Sequence, residues 1–436
     1  MNRRTIIAGM IGNVMEWYDF ALFGYFAPVI ATLFFPSENH LVSLVNTFGV
    51  FAAGFLMRPI GAALFGHLGD TVGRRQALAA SVILMALPTF LIGLLPTYAA
   101  IGAAAPVFLT VLRLLQGLSV GGEYTGSITF LVESAPPERR GYAGSWTPFS
   151  AGVGSLLGSG VGALVTSDLP PDALYSLGWR VPFIAGVFVG LVGLYLRSSL
   201  PESRDFEAVR ISGAVAASPV REALRLRRTE ILMAVGLNWV SGVSFYMIFV
   251  YMTTYLTSIL KFPLGAALTI NSINMAVSTL LIPAVGALSD RFGRKVFMLT
   301  AALGLALLSY PLYRLLFHDT FAAILAGQMT FAVLVAMYWG PLPATLVEMF
   351  PPRERYSALS IGYNTAIALF GGTAPLVATF LIKETGNVFS PSFYLILCAV
   401  VSLGTILCLP ETALRSSNGI EPAPDAREEM TQREMT

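Results

Sequence analysis

Apolar residues run along this chain in long stretches of about 20, separated by short polar joints. The stretches are rich in Leu, Ala, Gly and Met and do not alternate at period 2, so the pattern predicts helices rather than strands. About 20 such residues are what a helix needs to cross the hydrocarbon core of a bilayer. Twelve segments qualify: 8–35, 43–68, 77–96, 105–132, 142–166, 181–199, 231–258, 265–288, 296–316, 321–347, 357–382 and 391–410.

Composition agrees. Of 436 residues 55% are hydrophobic and 12% charged, and the mean hydropathy is +0.70. A soluble domain carries about a quarter charged residues, so this chain has too little polar surface to face water all round. The expected fold is an all-α, multi-pass membrane protein. "MNRRTIIAGMIG" has the basic start and apolar run of a signal peptide. Glu16 and Asp19 interrupt that run and no small-residue cleavage pattern follows, which reads as an uncleaved first helix. Cys398 and Cys408 lack CxxC spacing, and His40, His67 and His318 are scattered. No disulfide framework or metal site is expected.

Charge then orients the helices. Most of the 27 basic residues fall in alternate loops: at 3–4, 74–75, 139–140, 197–228, 291–295, 353–355 and in the tail. The other side holds Arg180, Lys261, Arg314 and Lys383. This bias places both termini in the cytoplasm, with a cytoplasmic linker over 201–230 and a disordered tail over 412–436. The linker divides the chain into bundles at 1–200 and 231–411.

The two halves repeat. "GHLGDTVGRR" at 66–75 returns as "GALSDRFGRK" at 286–295, "VESAPPERRGYA" at 132–143 as "VEMFPPRERYSA" at 347–358, and "LPE" at 200–202 again at 409–411. A six-helix unit has been duplicated in parallel. In the repeated loops Gly66, Gly73, Gly286 and Gly293 permit tight turns. Asp70 and Asp290 can accept from the N–H groups of a neighbouring helix N-terminus, while Arg74 and Arg75 face phosphate head groups or Glu133. The second copy offers Arg294, Lys295 and Glu348. These residues set topology or form a cytoplasmic gate that latches in one conformation and opens in another.

Other charges are not repeated. Glu16, Asp19, Arg113, Gln116 and Glu123 align with Gly236, Trp239, Gln328, Phe331 and Tyr338. An ionisable group at a helix centre costs about 2.5–3.5 kcal/mol on insertion scales and by default marks a substrate, ion or proton path. Arg113 is expected to pair with Asp19, with Glu16 or Glu123 as the second carboxylate and Gln116 and Glu123 on one face. Such a pair either serves proton coupling, through Glu16, Asp19 and Glu123, or fixes helix packing. Asn271 and Asn274 line a cavity or bond a neighbouring helix. Tyr124, Trp239 and Tyr246 are candidate ligand contacts beside a packing role, and "GVGSLLGSGVG" (152–162) reads as a helix-packing seam rather than a dinucleotide loop.

"GNVMEWYDFALFG", "RPIGAALFGHLGDTVGRR", "RLLQGLSVGGEYTGS", "GWRVPF" and "GALSDRFGRK" together resemble the metabolite:proton symporters of the major facilitator superfamily, over nearly the whole chain to about residue 411. "SVGGEYTGS", "RGYAGSW", "VGLYLR" and "RYSAL" are most similar to proline/glycine betaine transporters. The resemblance implies the twelve-helix major facilitator fold, a rocker-switch cycle and proton-coupled uptake in the cell inner membrane. Thr71 stands where the superfamily pattern usually has Arg, which would weaken that half's latch, and the tail lacks the long coiled-coil extension of osmosensory betaine carriers, which counts against osmotic regulation. Neither an enzyme nor a nucleic-acid binder is expected; the energy source is the proton gradient, without a cofactor, and the unit is a monomer.

The inventory of charges narrows the cargo. One midplane Arg beside carboxylates and aromatics suits a small zwitterion or monocarboxylate, such as proline or betaine, which would use Asp19, Arg113, Gln116, Tyr124, Trp239, Tyr246, Asn271 and Asn274. The alternatives are symport of a di- or tricarboxylate such as 2-oxoglutarate or citrate and, more remotely, a non-transporting membrane sensor.

Overall fold

The structure, a computed structural model, describes residues 3–62, 64, 74–198, 225, 227–318, 320–350 and 355–413. Helix α1 runs from Arg3 to Tyr25 and bends by 59° into Ala27–Phe34. It is followed by α2 (His40–Ala62), α3 (Arg74–Leu94), α4 (Ala104–Glu133), α5 (Pro137–Val165) and α6 (Leu174–Val192). The second half consists of α7 (Arg228–Ile259), α8 (Leu264–Phe292), α9 (Arg294–His318), α10 (Phe321–Glu348), α11 (Ala358–Thr385) and α12 (Ser390–Cys408). Ten of these are each long and apolar enough to cross a bilayer. The bent α1 makes an eleventh span, and α3 is apolar over Val82–Leu94. The expected linker and tail lie for the most part outside the described residues; Arg228–Glu230 belong to α7.

The duplication is legible in the packing. In the first half α1 packs on α5, α2 on α4, and α3 on both α4 and α6. In the second half α7 packs on α11, α8 on α10, and α9 on both α10 and α12. Each pairing is the other shifted by six helices. The halves meet through α5 with α8, α2 with α11, α1 with α7, and α4 with α10 and α11.

Small residues allow these contacts. Gly154, in the first half's glycine-rich seam, approaches α1 so closely that a Cβ would lie 2.2 Å from the Val14 carbonyl oxygen. Large apolar side chains such as Phe188, Leu232, Leu280 and Leu307 project outward, as a lipid solvent requires.

Two helices break where a single straight span was expected. Helix α1 turns at Phe26 because Pro28 stands in the first turn of the second limb, where its missing N–H costs nothing. Helix α4 is interrupted at residues 120–122. There Gly121 meets α2 backbone to backbone, and a Cβ would fall 2.0 Å from the Ala62 nitrogen. The break lies between Gln116 and Glu123, and seven-residue spacing keeps two side chains aligned only along a continuous helix, so the expectation of one shared face does not carry across it.

Candidate transport site

Asp19 lies on α1 and Arg113 on α4, both at most 4% exposed. The expected direct ion pair does not form between them. A relay of neutral groups joins them instead. Thr89 of α3 donates to Asp19 Oδ2. Gln116 Nε2 donates to Thr89 Oγ1 at 2.6 Å, and Arg113 Nη1 donates to Gln116 Oε1 at 2.6 Å. The i to i+3 spacing on α4 sets Gln116 against its own Arg113.

Glu16 also departs from expectation. It accepts from Arg58 Nη2 of α2 at 2.8 Å, with both side chains 1% exposed. With Arg58 on Glu16, Arg113 is left to the relay. Glu123 is half-buried in the turn after the break in α4, and the relay runs without it.

Arg113 is boxed by rings. Its guanidinium carbon lies 4.4 Å from the Phe23 centroid, 4.9 Å from Phe20 and 5.4 Å from Phe51. Its Nε and Nη2 are buried and have no hydrogen-bond partner among the described residues. From Phe51 the aromatic surface continues across the seam between the halves. Tyr246 of α7 lies 5.9 Å from Phe51, 5.0 Å from Phe55 and 6.2 Å from Trp17. Trp17 in turn meets Tyr124 at 5.9 Å and Trp339 of α10 at 6.4 Å. Tyr124 stacks on Tyr363 of α11 at 4.6 Å. Thus Arg113, Gln116, Tyr124 and Tyr246 share one neighbourhood with Asp19.

Three candidates lie elsewhere. Trp239 stacks on Phe370 at 3.7 Å and is only half-buried, away from these rings. The broad apolar face of α7 gave no way to tell its lipid side from its seam side. Asn271 donates to Ser159 of α5 at 3.1 Å, a contact between the halves. Asn274 donates to Gln328 of α10 at 2.8 Å, so the residue aligned with Arg113 is held by an amide in the second half.

One end of the bundle carries a second charged cluster. Asp290 accepts from the N–H groups of Gly141 and Tyr142, at 2.7 and 2.9 Å, near the start of α5. Arg294 forks onto both Glu348 oxygens at 2.7 and 2.8 Å and reaches Asp290 at 3.0 Å. Gly141 and Gly286 touch backbone to backbone there, since a Cβ on either would come within 2.7 Å of the other's carbonyl oxygen. Gly293 is at φ +94°, the turn between α8 and α9. Lys295 caps the end of α12, donating to the Leu407 and Leu409 carbonyls. Glu133 pairs with Arg355 at 2.6 Å, a contact across the halves. Gly66, Asp70 and Gly73, and the side chains of Arg74 and Arg75, lie outside the described residues.

Sequence reasoning missed Thr89, Trp17, Phe20, Phe23, Phe51 and Arg58 as site members. Trp17, Phe20 and Phe23 recur every three residues beside Asp19, a stripe that could have been read with it. Arg58 satisfied the same rule of buried charge as Arg113. Thr89 gives no signal in sequence, because only the packing of α3 brings it to Asp19.

A doubled six-helix bundle with a buried charged relay in one half and a band of rings across its seam has the form of an alternating-access carrier. The sequence profile of the Sugar (and other) transporter family matches residues 5–210 and again 207–423. The chain belongs to that family. It is 36% identical over 430 residues to the glycine betaine/proline/ectoine/pipecolic acid transporter OusA of Dickeya dadantii, covering 97% of this chain and 86% of that protein. It is 35% identical over 433 residues to the proline/betaine transporter of Salmonella typhimurium, with the same coverage. A putative proline/betaine transporter of Staphylococcus aureus is 37% identical over 431 residues, 97% of this chain and 91% of that protein. Among solved structures, a partially occluded inward-open conformation of the xylose transporter XylE from E. coli superposes with a TM-score of 0.76 at 21% identity, covering 93% of this chain and 97% of that one. The protein is a major facilitator transporter of twelve transmembrane helices in two six-helix repeats.

Proposed function

We propose that this protein imports a small zwitterion, proline or glycine betaine, together with protons across the cell inner membrane. One observation carries the choice of cargo: Arg113 keeps two buried N–H-bearing nitrogens without a protein acceptor, beside rings that lead across the seam. A carboxylate satisfies those donors. A quaternary or secondary ammonium a few ångströms away meets the faces of Tyr246, Trp17 and Tyr124. Glu16 already neutralises Arg58, so a tricarboxylate would find one free cation for three charges. The relatives' names, proline/betaine transporters among them, support the same cargo.

Asp19 is the proton site in this reading, because among the described residues no cation touches its carboxylate directly and the relay is what bonds it to Arg113. The cluster of Asp290, Arg294 and Glu348, with the Glu133–Arg355 pair, is the cytoplasmic gate that must separate for release. Both termini lie in the cytoplasm, and one chain holds the whole route, which supports a monomer driven by the proton gradient without a cofactor or bond chemistry. The test is uptake of labelled proline, betaine and citrate by reconstituted vesicles under an imposed pH gradient. Accumulation of proline or betaine with alkalinisation outside is expected; accumulation of citrate alone would overturn the reading.

A further inference from the structure

We infer that Thr89 is a positioning residue whose hydroxyl reports the protonation state of Asp19 to Arg113; this rests on the proton-coupled reading above. Thr89 is fully buried and occupies the middle of the relay. Its oxygen sits within reach of three partners. It donates to Asp19 Oδ2, accepts from Gln116 Nε2 at 2.6 Å, and lies 3.0 Å from the Met85 carbonyl oxygen one turn back on α3. A hydroxyl has one proton and two lone pairs. That inventory satisfies both states of Asp19.

With Asp19 ionised, the Thr89 proton points to the carboxylate and Gln116 donates to the Thr89 oxygen. With Asp19 protonated, the carboxyl O–H donates to Thr89, Gln116 still donates, and the Thr89 proton turns to Met85. No proton leaves Thr89; only its direction inverts. Hydrogen bonds in a chain polarise one another. In the ionised state the chain draws negative charge onto Gln116 Oε1 and tightens its hold on Arg113 Nη1. In the protonated state that hold slackens, and the guanidinium turns to the cargo carboxylate. Protonation before cargo binding is the order this geometry favours.

The rotor is built to stay in place. Gly186 of α6 comes so close that a Cβ there would lie 2.9 Å from Thr89 Cγ2, which pins the methyl and leaves the hydroxyl facing Asp19. Among the described residues the cation that acts on Asp19 is Arg113 from α4; Arg58 of α2 is paired with Glu16. Tyr18 and Glu16 are its titratable neighbours on α1. Residues 76–94 of α3, 141–165 of α5 and 181–192 of α6 contain no Asp, Glu, Lys or Arg. Thr89 is therefore a bonded link through which a proton on Asp19 is felt at Gln116 and Arg113.

The experiment compares wild type, Thr89→Val and Thr89→Ser in two readouts. The first is the half-saturating concentration of betaine in counterflow at acid and alkaline pH. Wild type and Thr89→Ser are expected to bind about tenfold more tightly at acid pH, within the usual range of coupling between two sites. Thr89→Val loses that pH dependence in whatever exchange it retains. The second readout is the infrared carbonyl band of protonated Asp19, assigned by its loss in Asp19→Asn, in purified protein without cargo. It should move to higher frequency in Thr89→Val, which has no hydroxyl to accept the carboxyl proton, and stay in place in Thr89→Ser. An unmoved band in Thr89→Val, or full pH dependence there, overturns the inference. If wild type exchanges no betaine or proline, the cargo assignment fails while the band still decides the role of Thr89.

Discussion

Glu16 and Arg58 meet at 2.8 Å between α1 and α2, one turn from Asp19, in surroundings closed to water. Their mutual neutralisation leaves Arg113 and Asp19, two buried charges of the first half, outside any direct ion pair among the described residues. Stability and transport are thereby assigned to neighbouring but separate pairs.

The first expectation follows. Removing one partner of a buried pair strands the other charge at a cost of about 3–5 kcal/mol, whereas replacing both by apolar groups is often neutral. Arg58→Met alone should lower the unfolding temperature in detergent markedly, and Glu16→Gln together with Arg58→Met should recover most of it. A double variant as unstable as the single one would mean that the two residues do more than neutralise each other.

Arg113 tests the cargo contact. Arg113→Lys keeps a charge but loses the planar fork that binds a carboxylate with two donors. Proline and betaine uptake should fall at least tenfold, with expression and thermal stability close to wild type. Retained uptake would place the carboxylate elsewhere.

The rings test the other end of the zwitterion. A desolvated cation–π contact is worth about 2 kcal/mol on the best faces, or roughly thirtyfold in affinity. Trp17→Leu and Tyr246→Leu should each raise the KM for betaine by about three- to thirtyfold, while Trp239→Leu should leave it within about twofold, because Trp239 stacks on Phe370 instead. Equal effects at Trp17 and Trp239 would show that general packing, not recognition, is being measured.

These expectations also measure what could be read in advance. The twelve spans, the repeat and the buried charges follow from one-dimensional rules of hydropathy and charge, so they were legible. Partners were not. Helical spacing says which side chains share a face only while the helix is unbroken, and the turn at Val120–Gly122 interrupts α4 between Gln116 and Glu123. The choice between Arg58 and Arg113 as Glu16's partner depends on how closely α2 packs on α4, set by glycines such as Gly117 against Gly54, where a Cβ would fall 1.8 Å from a carbonyl oxygen. Thr89 was out of reach, since a threonine in an apolar helix is indistinguishable from one that bonds its own backbone.

The gate supplies the last expectation. Asp290 holds two N–H groups near the start of α5, and Arg294 holds Asp290 and Glu348 together, so the contact joins the halves through charge-assisted bonds. Asp290→Asn keeps the shape but loses the charge facing a helix N-terminus, an interaction worth about 0.3–2 kcal/mol. Opening of that end should become more populated by about two- to thirtyfold. Cysteines placed at Ser145 and Ser289, buried beside the Gly141–Gly286 contact, would report it by faster labelling with a membrane-impermeant maleimide in inside-out vesicles. Glu348→Gln should act in the same direction. Unchanged labelling in both variants would mean that apolar packing of α5 on α8, and not this charged cluster, keeps the end closed.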